Sequence, residues 1–527
     1  MYILPFPEID CQFGSFPSIP FLLLSKMLVF RKQLHFEQIS VRIENEEICK
    51  EWFTLSLKSL FSAKDMTLGS PWKRIMEFSI PMLLGNIAQQ LYNTADTVIV
   101  GMYVGDNALS AVGSAAPILN LLLALFVGIS TGAGIVISQS FGARDRDGLS
   151  RNIGNCITLT FIASAVIMVF GPLITRPMLN LLDTPASIID WCEDYLNIYF
   201  WGIVGFFMYN MLAGVLRGLG DSVSALGFLL VAAILNVILD LVFVGAFGMG
   251  VPGVALATDI AQGISAILCF IKLIRMKDVF TLNKSSFRFQ PSVAGRIIKI
   301  GIPSGITQAI MACSMMVVQS LTNSMGEMVI AANVIIMRVD GFAMMPNFSF
   351  GQAMTVYTGQ NVGANKWHRV HQGINQGSYI AQAFAATITV VLLFLNRYLF
   401  AIFTDTPELI DLAGRMMRIM AVGYIAVSVT QVLGGVMRGA GDTVTPMWIS
   451  IASTVLLRIP VAYAIAHFTQ SAEFPTGHPY ALSISLLISW TMGMVISIFA
   501  YRRSKVRQTI LSETCKELGV DTPPKLR

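Results

Sequence analysis

Along this chain, apolar runs long enough to cross a bilayer alternate with short polar breaks that carry Gly, Pro or clustered charges. A helix needs about 20 mainly apolar residues to span the hydrocarbon core. Twelve such stretches can be marked, at 76–100, 108–137, 153–174, 195–216, 223–246, 252–273, 297–322, 328–357, 374–396, 412–438, 444–467 and 479–501. They are longer than the strands of a membrane barrel and lack its period-two alternation, so helices must satisfy the backbone in lipid. The pattern predicts an all-α integral membrane protein.

Composition agrees: of 527 residues, 54% are hydrophobic and 13% charged, with a mean hydropathy of +0.66. A soluble fold with a solvated surface is excluded. Charge then sets orientation. With residues 66–75 in the cytoplasm, Arg144, Arg146 and Arg151, the run from Lys272 to Lys299, and Arg502, Arg503, Lys505 and Arg507 all fall inside. The opposite loops carry Asp183, Asp190, Glu193, Asp194, Asp405, Glu408 and Asp411. This is the positive-inside bias, and it places both termini in the cytoplasm. The net charge of +5 is therefore a matter of topology, and no nucleic-acid partner is expected. The seven cysteines form no CxxC pair and no metal spacing. Residues 1–65 differ from the rest: Phe21–Phe30 is too short to span and is broken by Lys26, and an acidic stretch follows. They read as an N-terminal extension, disordered or preceding a natural start at Met66.

Sliding the chain on itself lays VLRGLGDSV (215–223) on VMRGAGDTV (436–444), so that Arg217 meets Arg438 and Asp221 meets Asp442. The same shift brings SQSFGARDR (138–146) near TGQNVGANK (358–366) and RIMEFSIP (74–81) onto RIIKIGIP (296–303). An offset of six helices, an even number, makes parallel repeats about an axis along the membrane normal, with substrate sites between the lobes. The expected layout is twelve transmembrane helices in two pseudo-symmetric six-helix bundles. The segments are an N-terminal lobe at 66–275, a cytoplasmic linker at 276–296, a C-terminal lobe at 297–505 and a tail at 506–527.

Polar groups inside the spans need a reason, because a carboxylate at the bilayer centre costs roughly 2.5 to 3.5 kcal/mol on insertion scales. Asp96, Asp240, Asp259 and Asp340 are such groups. Gln89, Tyr92, Asn93 and Asp96 recur at helical spacing on the first span, and Asn236 and Asp240 share a face of the fifth. Counted along their helices, Asp96, Asp240 and Thr258 lie at similar depth in the outer half, so they can form one site. Carboxylates clustered out of water can load and release protons near neutral pH; the same oxygens, with Asn236 and Thr258, suit Na+. Hydrogen bonding between helices is the bland alternative for each acid. Asp340 shares a stripe with Asn333, Met337, Met344 and Asn347, and the eleventh span carries Arg458, a candidate partner for it. Many of the 28 methionines fall in the second half, where flexible thioethers suit a pocket for varied apolar shapes, though ordinary packing explains most of them. The RGxGD elements read as turns whose Arg and Asp cap helix ends or pair across the lobe. No P-loop, HExxH or GxSxG is present, so neither ATP-driven transport nor an enzyme is expected.

FSIPMLLGNIAQQLYNTADTVIVG at 78–101, QSFGA at 139–143, GQNVGA at 359–364 and the doubled RGxGD together resemble the multidrug and toxic compound extrusion (MATE) transporters of bacteria. The resemblance covers 66 to about 505. It implies a V-shaped pair of six-helix bundles that alternates between inward-open and outward-open states, exporting organic cations and amphipathic compounds against inward H+ or Na+. It further implies that Asp96, Asn236 and Asp240, completed by Thr258 and Asn210, form the cation-coupling site, with Na+ as the one metal candidate. Gln89, Tyr92, Asn93, Asp340, Met337, Met344 and Asn347 would line the substrate path. One departure concerns the seventh span, where some members carry a glutamate after the GxP element; here SGITQAIMACS (304–314) has no acid. Coupling is therefore placed in the first lobe.

The resulting expectation is a secondary-active multidrug efflux antiporter of the bacterial plasma membrane. It would be monomeric, surrounded by lipid, need no cofactor beyond its coupling ion, and bind small cationic or amphipathic substrates. A lipid-linked oligosaccharide flippase and a non-transporting membrane scaffold or sensor are the alternatives.

Overall fold

The computed structural model describes residues 63–519 apart from 183 and 473. The reading of 1–65 as an extension therefore lies outside the described residues save for 63–65, as does the end of the tail from 520. The chain is helical throughout its described spans, in the order α1 Pro71–Tyr103, α2 Asp106–Gly142, α3 Arg146–Leu181, α4 Ile189–Gly218, α5 Ser222–Ala246, α6 Gly250–Arg275, α7 Pro291–Ser324, α8 Glu327–Gly363, α9 Trp367–Phe400, α10, α11 Val444–Phe468 and α12 Tyr480–Arg503. Here α10 is the pair Pro407–Ala421 and Gly423–Gly439, bent by 43°. A short amphipathic helix, α13 Lys505–Leu518, follows. Each of the twelve apolar stretches marked in the sequence falls inside one of α1 to α12, save that the last begins one residue early, at Pro479. The first is the least apolar, because Asn86, Gln89, Gln90, Asn93 and Asp96 interrupt it.

Local sequence explains the helix starts. Pro71, Pro291 and Pro407 stand in the first turns of α1, α7 and α10, where a missing N–H costs nothing. Asp145 accepts from Gly148 N at 2.8 Å to open α3, and Asp221 from Ser224 N at 2.9 Å to open α5. Asp442 repeats the second device, accepting from Thr445 N at 3.0 Å at the start of α11. Between α4 and α5 and between α10 and α11, Gly220 and Gly441 take φ of 84° and 97°, which only glycine adopts freely. The aspartates of the two RGxGD elements are thus helix caps and their last glycines are turns.

The first lobe gathers around α4, which packs on α2, α3 and α6, while α5 lies between α1 and α6. In the second lobe α8 packs on α9 and α10, and α10 on α12. The linker between them is not loose: Thr158 Oγ1 donates to Phe287 O at 2.9 Å, Gln290 N to Asn155 Oδ1 at 2.7 Å, and Gly154 leaves room for the Ser286 carbonyl against α3. Large apolar side chains such as Phe161, Leu173, Ile234 and Phe394 remain exposed on the spans, as lipid contact requires.

The lobes meet along α2 and α7, with further contact of α1 and α2 against α8. Glycines make this approach possible. A side chain at Gly128 would collide with the Gly305 backbone, and one at Gly132 with Gly301 and the Ile297 carbonyl. The first turns of α1 cross the boundary altogether: Ile75 and Phe78, with Met66 ahead of them, are buried in a second-lobe core with Phe350, Met354, Tyr357 and Ile374. Replacing Gly132 by Val should force α2 from α7 and lower thermal stability in detergent by about 1 to 3 kcal/mol. Gly113→Ala, where an added Cβ meets nothing, is the control and should leave the melting temperature unchanged.

Candidate functional site

Two acidic side chains from different helices come together in the half of the first lobe remote from its basic end. Asp240 ends the α-helical part of α5, which widens into a π-helical turn over Leu241–Ala246. Such turns free backbone geometry near functional side chains. Asp96 reaches toward it from α1, near enough for the two carboxyl groups to act on each other. Asn236, one turn before Asp240, is fully buried. With its amide oriented to satisfy both neighbours, it donates to Asp240 Oδ2 at 2.9 Å and accepts from Thr258 Oγ1 at 3.3 Å. The Tyr92 hydroxyl lies toward Thr258 and Gln262 on α6.

Oxygen outnumbers donors here. Asp96 Oδ1, Asp240 Oδ1 and Gln262 Oε1 are buried with no hydrogen-bond partner. Buried acceptors are ordinarily satisfied, so this surplus calls for a proton or a hard cation. No group of three or more His, Cys, Asp or Glu converges on one point among the described residues. The arrangement is a two-carboxylate site completed by amide and hydroxyl oxygens. Asp259 stands separately: its carboxyl occupies the space that Gly202 leaves on α4, and its Oδ1 is also unpartnered.

Of the residues singled out from sequence, Asp96, Asn236, Asp240, Thr258 and Tyr92 are brought together. Asn210 is not joined to them by a hydrogen bond; its Nδ2 donates to Phe206 O at 2.9 Å and its carbonyl accepts from Ser130 Oγ at 2.7 Å. The polar stripe of α1 divides: Tyr92 and Asp96 turn into the lobe, while Gln89 donates to Asn93 Oδ1 at 3.2 Å on an exposed face. Gln262 and Tyr195 are additions. Tyr195 is buried within electrostatic reach of Asp96 and Tyr92, in an α4 stripe with Tyr199 and Gly202 whose helical spacing is visible in the sequence.

The second lobe has a different polar centre. Tyr424 on α10 donates its hydroxyl to Asp340 Oδ1 at 2.6 Å, and Asn347 Nδ2 donates to the Tyr424 carbonyl at 3.4 Å. Arg458 is close enough to act electrostatically on Asp340. No ion pair within 4.0 Å joins them, and Arg458 Nε is left unpartnered. The partner of Asp340 is therefore a tyrosine hydroxyl first and the arginine charge second. Met344 packs against the surrounding core, whereas Met337 is exposed.

At the opposite, basic end the repeated motifs of the two lobes lock onto each other. Gln139 Nε2 on α2 donates to Gly439 O on α10 at 3.0 Å, and Gln360 Nε2 on α8 donates to Gly218 O on α4 at 3.1 Å. These are the same bond made twice: each glutamine of one lobe binds the glycine that follows the RGxGD arginine of the other. The ends of α2 and α8 touch, with Gly142 against the Gln360 carbonyl and Gly363 against that of Gln139. Met66 closes the seam, its N–H donating to Gln360 Oε1 at 2.8 Å and its carbonyl accepting from Arg369 Nη2 at 3.2 Å.

Two pseudo-symmetric helical lobes, closed at one end and holding buried carboxylates toward the other, define a two-lobe membrane transporter. Comparison with known proteins gives the family. The sequence model of the MatE family matches residues 81–242 and 303–464, one copy in each lobe, and the chain belongs to that family. It is 27% identical over 428 residues to the probable multidrug resistance protein YoeA of Bacillus subtilis, covering 80% of this chain and 92% of that one. With the probable multidrug resistance protein YpnP of the same organism it shares 30% identity over 399 residues, 76% of this chain and 89% of that one. A solved outward-facing multidrug resistance MATE transporter superposes with a TM-score of 0.77 at 22% identity, over 86% of this chain and 99% of that chain. A MATE structure in complex with MaL6 gives 0.77 at 21% identity, over 85% and 98%.

Each glutamine bond of the seam is worth about 1 kcal/mol, roughly a fivefold shift in the balance between closed and open ends. Thr358 is fully buried beside the seam. In a chain whose native cysteines are replaced, maleimide should label Thr358→Cys about fivefold faster when Gln139→Ala is added, and faster again with Gln360→Ala.

Proposed function

We propose that this protein is a secondary-active exporter that drives organic cations and amphipathic compounds out of the cell in exchange for H+ or Na+. The single observation that carries this reading is the buried pair of Asp96 and Asp240, with Asn236 and Thr258 around it and carboxyl oxygens left unpartnered. An ion gradient can do work only through an ion site whose occupancy favours one lobe arrangement over another.

By charge, the basic end is cytoplasmic, with both termini on that side, and the cation site lies toward the outside. A proton or Na+ entering from outside replaces the missing partner of these oxygens. The filled site then favours the arrangement that binds cargo poorly, so that release outward and ion entry are linked. The names of the Bacillus subtilis relatives support multidrug export as the cargo class. The protein acts as a monomer in the plasma membrane and needs no cofactor. Asp340, held by Tyr424 and near Arg458, serves the second lobe's face of the substrate path together with Met337, Met344 and Asn347.

In an efflux-deficient bacterium preloaded with ethidium, the wild-type chain should extrude the dye in response to an imposed pH or Na+ gradient. Asp96→Asn and Asp240→Asn should each abolish this at matched membrane expression. Normal efflux in both variants would remove the ion site from the mechanism, and the gradient to which the wild type responds names the ion.

A further inference from the structure

Between the lobes lies a cavity of about 560 Å3 whose wall is made by α1, α2, α4, α7, α8, α10, α11 and α12. Its charged lining consists of Arg217 and Arg438, one from each RGxGD element, and no carboxylate borders it among the described residues. The rest is neutral polar, such as Asn86 and Gln308, or apolar, such as Met82, Met345 and Phe348. This is the reverse of what the carboxylates of the first lobe offer.

The aspartates that accompany these arginines in sequence do not neutralise them. Asp221 is taken up by Ser224, through N at 2.9 Å and Oγ at 2.6 Å, and by Lys272 Nζ at 3.8 Å. Asp442 is taken up by Thr445 N at 3.0 Å and Oγ1 at 2.7 Å. Neither guanidinium makes a hydrogen bond or ion pair to protein among the described residues. Arg438 folds back along α10 until its Nη1 lies 3.2 Å from where a Cβ on Gly434 would stand, so Gly434 is what lets the head reach the cavity wall. Two guanidiniums that line one cavity and have no counter-ion among the described residues leave their charge available to an anion that enters it. A guanidinium presents a planar fork of donors matched to a phosphate or carboxylate.

We propose that this cavity is a subsite for an anionic group, a phosphate or carboxylate on an apolar body, held between Arg217 and Arg438. The inference rests on the reading of the space between the lobes as the export route, and it extends the cargo from cations to amphipathic anions and zwitterions. Since each arginine immediately precedes the glycine whose carbonyl the opposite lobe's glutamine binds, an occupied subsite sits against the seam that closes the basic end.

The test uses the full chain in phosphatidylcholine nanodiscs with two dyes on one ring system, anionic fluorescein and cationic rhodamine 6G, read by fluorescence anisotropy. Fluorescein should bind the wild type and be displaced by pyrophosphate. Arg217→Gln and Arg438→Gln should each weaken it about tenfold or more, with rhodamine 6G affinity kept. Arg217→Lys and Arg438→Lys, which keep the charge, should lose less, and melting curves identify any variant that has not folded. Phosphatidylglycerol added to the discs separates the sources. If it competes with fluorescein and native mass spectrometry shows it retained by the wild type but not by the double Gln variant, the ligand is a lipid headgroup. If it does not compete, the ligand is a soluble anion. Fluorescein binding that survives the folded double variant, or that pyrophosphate fails to displace from the wild type, would overturn the proposal. Absence of rhodamine 6G efflux from cells would count against the export reading alone, since anion binding is measured apart from transport.

Discussion

Everything in this molecule turns on how closely two helical lobes can approach at one end without fusing. In lipid there is little hydrophobic drive between helices, so close packing and hydrogen bonds must hold them. Gly128, Gly132, Gly301 and Gly305 remove the side chains that would keep α2 and α7 apart. Two amide-to-carbonyl bonds then fasten the ends, from Gln139 to Gly439 and from Gln360 to Gly218. Bonds of this kind are individually modest. That is what a transporter requires, since a seam worth tens of kcal/mol could not open in each cycle.

Helix α1 runs from this seam to the carboxylate pair of the first lobe. Its first turns, with Met66, lie in the core of the second lobe, while Asp96 near its far end faces Asp240 and the first-lobe carboxylate site. A change in the charge shared by Asp96 and Asp240 therefore acts on a helix already anchored across the lobe boundary. The second lobe repeats the fold but not the chemistry: Arg458 and the Asp340–Tyr424 pair form its polar centre in place of a carboxylate pair. The two lobes thus share a fold but hold different polar centres.

Much of this was legible in the sequence. The twelve spans followed from hydropathy, the two lobes from the repeat, and the meeting of Asp96, Asn236, Asp240 and Thr258 from depth counted along helices. What escaped depends on neighbours that helix periodicity does not identify. Tyr195 and Gln262 carry no sequence signal of their own, and only the folded arrangement sets them near Tyr92. Asp340 needed a partner, but sequence offered the opposite charge of Arg458 where the fold supplied the Tyr424 hydroxyl. The repeated glutamines and RGxGD elements stood out as motifs, yet that each pairs with the other lobe's copy is a fact of tertiary structure. The arginines were expected to cap helix ends or pair; the aspartates do the capping, and the arginines face a cavity.

The coupling of ion site to seam is tested most directly by distances across the basic end. Spin labels at Asp147 on α3 and Arg502 on α12, both exposed, can be followed by double electron–electron resonance in nanodiscs. Two distance populations are expected, whose ratio shifts with pH or Na+ in the wild type and becomes insensitive to both in Asp96→Asn. A distribution that ignores the ions in the wild type, or that still follows them after Asp96→Asn, would contradict the coupling described here.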